Sequence, residues 1–297
     1  MKLKKRIFCV LLFFLILSVP AFTLDLSLLF NLGNLALPRD TQAGSSTFSG
    51  ESFPWGFHLS GQQMASDNTG VDVSFLVDPV LRNISYTLFS YKADFFTIGV
   101  GPFFGFFNTP QTILKSGIST SFKVEIPGII YVSFRADSSI GGGLETAGDY
   151  TQERNDVSFG YYVQNAICSL NLATRRYAMM DAAAGRVVDG LTEYSFKTDM
   201  FKKNVPYRII LTFSYQQRTK EFADSVITHT LNSLVLGTEL NMQVSKDLTL
   251  LALLDSTVYS FGFVDNAGTR DLLVFSDTWP GLFLFNAKLG AKLHLDM

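Results

Sequence analysis

The feature of this sequence that most limits its fold is an alternation of apolar and polar residues with a period of two. In the segment 117–126, apolar Ile118, Phe122 and Val124 interleave with Ser119, Ser121 and charged residues. Successive side chains of a β-strand point to opposite faces, so the pattern predicts a strand with one apolar and one polar face. The same pattern recurs in the segments 129–137, 156–165, 207–217 and 282–296. The sequence therefore predicts an all-β protein.

The N-terminus has the features of a secretory signal peptide. Four basic residues within the first six precede an apolar stretch from Ile7 to Val19 that is broken only by Ser18, and small residues follow near Ala21. That stretch is shorter than the roughly 20 residues that a membrane-spanning helix needs. We therefore predict a cleaved signal peptide over 1–23 and a mature domain over 24–297, with an uncleaved anchor as the alternative.

Two environments satisfy strands that are apolar on one face only. In a soluble sandwich the apolar faces pack on each other, whereas in a membrane barrel they contact lipid and the polar faces line an interior. Predicted strands of about 9 to 12 residues fit a bilayer better than the shorter strands of soluble sheets. Short and long connections also alternate along the chain, as they do between the two ends of an outer-membrane barrel. Both features favour the barrel.

We predict an antiparallel up-and-down barrel of about fourteen strands, with twelve as the alternative count. Both chain ends are expected at the rim that carries the tight turns, facing the periplasm. The predicted strands are 24–32, 54–64, 70–78, 84–91, 95–106, 117–126, 129–137, 156–165, 167–177, 188–199, 207–217, 229–245, 248–262 and 282–296. The predicted long connections are 33–53, 107–116, 138–155, 178–187, 218–228 and 263–281.

The signal segment, the alternating strands, the aromatic-rich flanks and a last strand that ends at the C-terminus give the chain a family resemblance. It resembles bacterial outer-membrane β-barrel proteins of the porin-like class over its whole mature length. The resemblance implies insertion into the outer membrane, contact with membrane lipids and recognition by the outer-membrane assembly machinery. Such barrels usually end on an aromatic residue, and this chain departs from that pattern because it ends at Met297.

The polar strand faces supply candidates for the lining of the barrel interior. Positive and negative side chains are about equally frequent there, so they predict either pairing between neighbouring strands or a wall without strong ion preference. The candidates are Lys123, Glu125, Arg135, Asp137, Glu193, Lys197, Arg208, Glu239, Lys288 and Lys292.

The chemistry that other function classes require is not visible in the sequence. His58, His229 and His294 have no serine or cysteine nucleophile in a recognisable spacing, so we predict that the protein is not an enzyme. No metal-ligand spacing or cofactor motif occurs, and we predict neither. Cleavage removes four of the 24 basic residues and none of the 26 acidic ones, and an acidic chain is a poor ligand for nucleic acid. Cys168 would be the single mature cysteine.

The phenylalanines between 95 and 107 form the densest aromatic group. They predict a membrane-interface girdle, with a path for a hydrophobic ligand as the alternative. For the whole chain, the first prediction is a channel for passive diffusion of small polar solutes. The alternatives are a transporter of lipophilic ligands with 33–53 as a plug, and a non-transporting surface protein that binds through loops such as 138–155 and 263–281.

Overall fold

The computed structural model describes residues 23–38, 56–64, 66–78, 81–105, 115–139, 144, 147, 149–182, 185–202, 204–222, 227–266, 268–272 and 282–296. The predicted signal peptide lies outside these residues, except for Thr23. Within the described ranges, no helix is long and apolar enough to cross a membrane.

Strands make up almost all of the described chain. They are β1 (Thr23–Pro38), β2 (Gly56–Met64), β3 (Thr69–Asp78), β4 (Arg82–Lys92), β5 (Phe96–Gly105), β6 (Lys115–Ile126), β7 (Ile130–Ser139), β8 (Tyr150–Val163), β9 (Ala166–Asp181), β10 (Gly185–Phe201), β11 (Tyr207–Phe222), β12 (Ile227–Gln243), β13 (Leu248–Asn266), β14 (Thr269–Leu272) and β15 (Leu282–Asp296). Each of the fourteen predicted strands is present, and only the four-residue β14 was not predicted.

The strands form one antiparallel sheet that closes on itself. Each strand from β1 to β13 pairs with the next, and β15 pairs with both β13 and β1. The short β14 pairs only with the end of β13, beyond the residues that contact β15. The closed barrel therefore has fourteen strands, which confirms the predicted fold class and the predicted count.

The two ends of the barrel differ as predicted. One end, called here the inner rim, carries the tight turns such as Pro127–Ile129 and both ends of the barrel sequence, where Thr23 pairs with Asp296. At the opposite end, the outer rim, several connections are shorter than predicted: β9 ends at Asp181 and β10 already begins at Gly185. The predicted loops 178–187 and 218–228 are therefore mostly strand.

The reason for this difference is the solvent at the outer rim. Above the membrane both faces of a strand contact water, so the sequence no longer alternates even though the backbone pairing continues. On β8, for example, Glu153 and Arg154 are adjacent and both charged, yet both pair in register with β9. The period-two signal locates the part of a strand that faces lipid, and it misses the extension beyond it.

The exterior of the barrel carries a band of exposed apolar side chains. In an isolated soluble protein such a continuous surface would be unfavourable, whereas the acyl chains of a bilayer solvate it. Its members on the seven strands β5 to β11 include Ile98, Val100, Phe122, Val132, Phe134, Val157, Phe159, Leu170, Tyr194, Phe196, Leu211 and Phe213. The outward residues of the predicted alternating segments form this band.

On the side of the barrel formed by β8 to β12, two tyrosines mark the outer edge of the band. The rings of Tyr194 and Tyr215 stack at 6.5 Å between centroids, and Tyr215 Oη donates a 2.6 Å hydrogen bond to Asn232 Oδ1. Toward the outer rim, the exterior positions that follow are polar and directly opposite one another across five strands: Asn155, Thr174, Thr192, Gln217 and Asn232. Tyrosines at an apolar–polar boundary are typical of a membrane interface.

A pair of substitutions on β9 tests the position of this boundary. Leu170 is 60% exposed within the apolar band, whereas Thr174 lies on the same exterior face beyond it. We expect Leu170→Arg to destabilise the folded barrel by about 2 to 4 kcal/mol if it lies near the bilayer midplane, against about 0 to 1 kcal/mol for Thr174→Arg near the interface. Urea unfolding in lipid vesicles measures both values, and equal costs would contradict the assignment.

Candidate functional site

The charged residues that the sequence suggested as candidates for the lumen lie at interior positions of the strands. Residues directly opposite in antiparallel strands lie on the same face of the sheet, so the register assigns each position to one face. Arg135 is opposite Asp156, Glu239 is opposite Leu253, and Lys292 is opposite Ser27. By the same register, the structure places the remaining candidates on this face: Lys123, Glu125, Asp137, Glu193, Lys197, Arg208 and Lys288.

A ladder of alternating charges crosses β7, β8 and β9 on this interior face. Arg135 contacts Asp137 at 3.2 Å, and Asp137 also faces Arg154 at 3.8 Å. Arg154 in turn contacts Asp156 at 2.7 Å, and Asp156 contacts Arg175 at 2.6 Å. Each carboxylate is shared by two guanidinium groups, so these five side chains form one connected network against the wall.

Other groups hold Arg135 and Asp137, the first two members of this ladder of charges, which is called here the arginine ladder. The guanidinium of Arg135 lies over the ring of Tyr86, 3.5 Å from its centroid, which is a close cation–π contact. Ser119 donates its hydroxyl to the Asp137 carboxylate, which is fully buried. Arg135 is thus held between Asp137 on its own strand and Tyr86 on β4.

Three members of this ladder were not among the sequence-based candidates. Arg154 and Arg175 were missed, and so was Asp156 as a lining residue, because the predicted β8 began at 156 and the alternation of β9 is irregular. A signal was present, because Arg154 and Asp156 continue the even-numbered polar face of Ser158, Gly160 and Tyr162.

The inner half of the barrel holds further ion pairs. Glu125 receives hydrogen bonds from Lys123 and Tyr162, and Arg208 binds Asp199 through two nitrogens. Asp25 accepts from Lys292 at 3.2 Å and also bonds His294. On the interior wall closer to the outer rim, Arg218 contacts Asp189 at 2.7 Å. Most interior cations are therefore neutralised by a carboxylate on the same or a neighbouring strand.

An apolar cluster fills one side of the interior near the outer rim. Leu81, Ile84, Phe103, Tyr150 and Tyr177 pack together with almost no exposed surface. Tyr150 Oη donates a 2.6 Å hydrogen bond to the carbonyl of Gly105, and the side-chain amide of Gln152 donates to the carbonyl of Leu81. The residue that follows the β3–β4 turn, Leu81, is thus fixed inside the barrel and narrows the lumen there.

The aromatic segment of β5 divides between two environments. Phe95 is exposed and its ring meets Phe96 edge-to-face at 5.4 Å, in agreement with a girdle at the inner rim. Phe103, in contrast, points into the apolar cluster, and the girdle interpretation is wrong for this residue. Phe106 and Phe107 lie outside the described residues.

A cavity of about 720 Å³ occupies the lumen between the ladder and the inner rim. Its wall is contributed by β1 to β4, β7, β10 to β13 and β15. The lining mixes apolar side chains such as Leu29, Phe201 and Leu251 with six charged ones, Asp25, Asp72, Arg135, Arg208, Glu239 and Lys292. No group of three His, Cys, Asp or Glu side chains suited to a metal ion occurs within the described part of the chain.

Comparisons with known proteins agree with this architecture. No protein-family model matches the sequence, and no curated protein matches it. Among solved structures, the chain is similar to the CymD monoaromatic hydrocarbon channel at 8% identity, over 93% of this chain and 89% of that chain, with a TM-score of 0.50. It is also similar to OmpT of Vibrio cholerae, at 10% identity over 92% and 97% of the two chains with a TM-score of 0.45.

An outer membrane channel from Pseudomonas putida F1 is similar as well, at 8% identity over 93% of this chain and 96% of that chain, with a TM-score of 0.45. Likeness at such low identity concerns the fold alone. Together with the closed sheet and the apolar exterior band, the fold is that of an outer-membrane β-barrel, as the sequence resemblance predicted.

Proposed function

We propose that this protein is an outer-membrane channel for the passive diffusion of small polar solutes. The observation that carries the proposal is the 720 Å³ cavity lined by charged side chains inside a barrel with an apolar exterior. Water and polar solutes are stable beside such a wall, whereas the surrounding bilayer excludes them. The interior therefore offers a hydrated route through the inner half of the membrane.

The ion pairs support the same proposal. A long arginine or lysine side chain that is free to extend across a narrow lumen would obstruct it. Here Arg135, Arg154 and Arg208 are each held to a carboxylate that lies on the same or an adjacent strand. The pairing fixes these charged ends, and two of them, those of Arg135 and Arg208, line the cavity.

Two observations disfavour the alternative of a lipophilic transporter with 33–53 as a plug. The residues from Gly33 to Pro38 belong to β1 and pair with β15, so this part of the segment is wall and does not enter the lumen. The aromatic residues of the apolar cluster, including Phe103 and Tyr150, are packed together and present no open apolar surface to a ligand. Residues 39–53 lie outside the described part of the chain.

Conductance measurements test the proposal. Refolded protein inserted into planar lipid bilayers is expected to produce stepwise currents in potassium chloride. Ser60→Trp, which adds a large ring on the cavity wall, is expected to lower the current per insertion. Leu59→Trp is the matched control, because the adjacent side chain is exposed on the exterior face, and it should conduct like the natural protein.

The gel mobility of unheated samples shows whether each protein is folded before insertion. Folded protein that gives no current in repeated insertions would overturn the channel function. Equal currents from Ser60→Trp and the natural protein would show that ions do not pass through this cavity.

A further inference from the structure

We infer that the channel favours small organic cations with ammonium or guanidinium groups, and that Asp72 and Glu239 attract them into the cavity. The inference rests on the proposed channel function and names its class of solute. The inference is based on which charged side chains of the cavity wall already form an ion pair within the protein.

The cations of the cavity wall are neutralised within the protein. Arg135 is held by Asp137, Arg208 by Asp199 and Lys292 by Asp25. The carboxylates of Asp137 and Asp199 do not themselves line the cavity. An anionic solute would have to compete with a resident carboxylate for each of these three groups.

Two carboxylates of the same wall are not neutralised in this way. Asp72 on β3 accepts a hydrogen bond from Gln62 and forms no ion pair within the described ranges, although the charge of Arg135 acts on it from a longer distance. Glu239 on β12 forms neither an ion pair nor a hydrogen bond with any described residue, although it senses the charges of Arg208 and Asp255. Both side chains line the cavity and come from different walls of the barrel.

A second acceptor lies beside Glu239. Asn241 is two residues further along β12 on the same interior face, and it also lines the cavity. Its Oδ1 atom is buried and receives no hydrogen bond from any described residue. A carboxylate next to an unsatisfied amide oxygen suits a donor with several N–H groups, which ammonium and guanidinium provide.

The excess of carboxylates continues toward the outer rim. Asp255 on β13 and Glu193 on β10 interact electrostatically with each other, and Asp255 also interacts with Glu239. Glu193 accepts a 2.9 Å hydrogen bond from Gln216, and Lys288 interacts electrostatically with Asp255. On the interior faces of β10, β13 and β12, the carboxylates Glu193, Asp255 and Glu239 thus interact in sequence, and Lys197 on β10 and Lys288 on β15 lie on the same face.

Ion selectivity measured in a gradient of potassium chloride tests the inference. The zero-current potential of the natural protein should have the sign of cation preference. Glu239→Gln and Asp72→Asn should each lower the cation-to-anion permeability ratio by about fourfold, because one unit charge about 10 Å away in water favours the cation about twofold and disfavours the anion about twofold. Glu221→Gln is the control, because it removes a carboxylate from the exposed exterior face of β11 and should leave the ratio unchanged.

Two solutes with the same carbon chain length test the class of substrate directly. The zero-current potential is measured in gradients of 1,4-diaminobutane dichloride and of disodium succinate. The diamine cation is expected to permeate measurably, and the succinate anion is expected to be excluded relative to sodium. Glu239→Gln should reduce the permeability of the diamine more than that of potassium.

The outcomes separate this inference from the proposed function. Currents with anion preference, or without preference, would overturn the inference and leave the channel function intact. An unchanged permeability ratio in both Glu239→Gln and Asp72→Asn would also overturn it. Absence of any current from folded protein would overturn both.

Discussion

Alanine in place of Gly101 is expected to prevent most of the protein from reaching its folded barrel form. A Cβ atom at this position would lie 1.7 Å from the carbonyl oxygen of Thr87 and 2.8 Å from its carbonyl carbon. Both are backbone atoms of the neighbouring strand β4, so no side-chain rotation relieves the overlap. Overpacking of this kind costs about 1 to 3 kcal/mol where neighbours can move aside, and more where backbone must move.

The sequence explains why the two strands come so close there. Pro102 follows Gly101 inside β5 and has no N–H group to donate to the ladder. The pairing of β4 with β5 accordingly skips the positions between Tyr86–Phe103 and Phe89–Val100. The glycine allows the strand to bend toward β4 at the point where the regular hydrogen bonds are interrupted.

Gly61→Ala is the matched control for this prediction. A Cβ atom at Gly61 would have its nearest neighbouring atoms at 3.8 Å, which is an ordinary van der Waals contact. We expect this variant to refold in detergent with the yield of the natural protein, whereas Gly101→Ala should remain largely unfolded. The fraction with altered gel mobility before heating measures the yield, and equal yields would show that β4 and β5 are further apart than described.

Replacement of Asp137 by asparagine is expected to cause the largest loss of stability among the interior substitutions, about 3 to 5 kcal/mol. The carboxylate is 1% exposed, accepts the Ser119 hydroxyl and balances the guanidinium groups of Arg135 and Arg154. Asparagine keeps the volume but removes the charge. Arg135 then has no carboxylate partner in the ladder, and Arg154 and Arg175 share Asp156. Urea unfolding in lipid vesicles gives the difference.

Two further variants test whether the lost charge balance causes the loss of stability in Asp137→Asn. Asp265→Asn removes an acid from the exposed pair with Arg270, and it should change the unfolding midpoint little because water already solvates both groups. In the double variant Asp137→Asn with Arg135→Gln, part of the lost stability should return, because one uncompensated cation has been removed. A double variant as unstable as the sum of both single ones would contradict the ladder as a coupled network.

The membrane-facing part of the fold was predictable from the sequence because lipid imposes a strict alternation. Residues 117–126 and 129–137 alternate cleanly, and the structure places strands β6 and β7 over them with Pro127–Ile129 as the turn. Near the outer rim the same argument fails. Thr151, Glu153 and Arg154 are polar on both faces, so the start of β8 at Tyr150 left no periodic signal.

The sequence pattern also did not predict that the side chains of Phe103 and Leu81 point into the barrel. Phe103 lies in a phenylalanine-rich strand whose Phe96 and Phe104 face outward, and composition does not separate the two sets. Leu81 lies in the connection between the predicted strands 70–78 and 84–91, where no alternation indicates the direction of a side chain. Both are buried because Tyr150 and Gln152 reach across from β8, and Gly105 leaves the room that the Gln152 side chain occupies.

The amino-acid sequence by itself determined the class of fold and the strand count, because both depend on local periodicity along each strand. The tertiary structure alone decided which charges neutralise each other. Asp137 meets Arg154, and Asp156 meets Arg175, only after β7, β8 and β9 align in one particular register, and a shift of that register would exchange the partners. Which carboxylates stay available to a solute is therefore a property of the closed barrel.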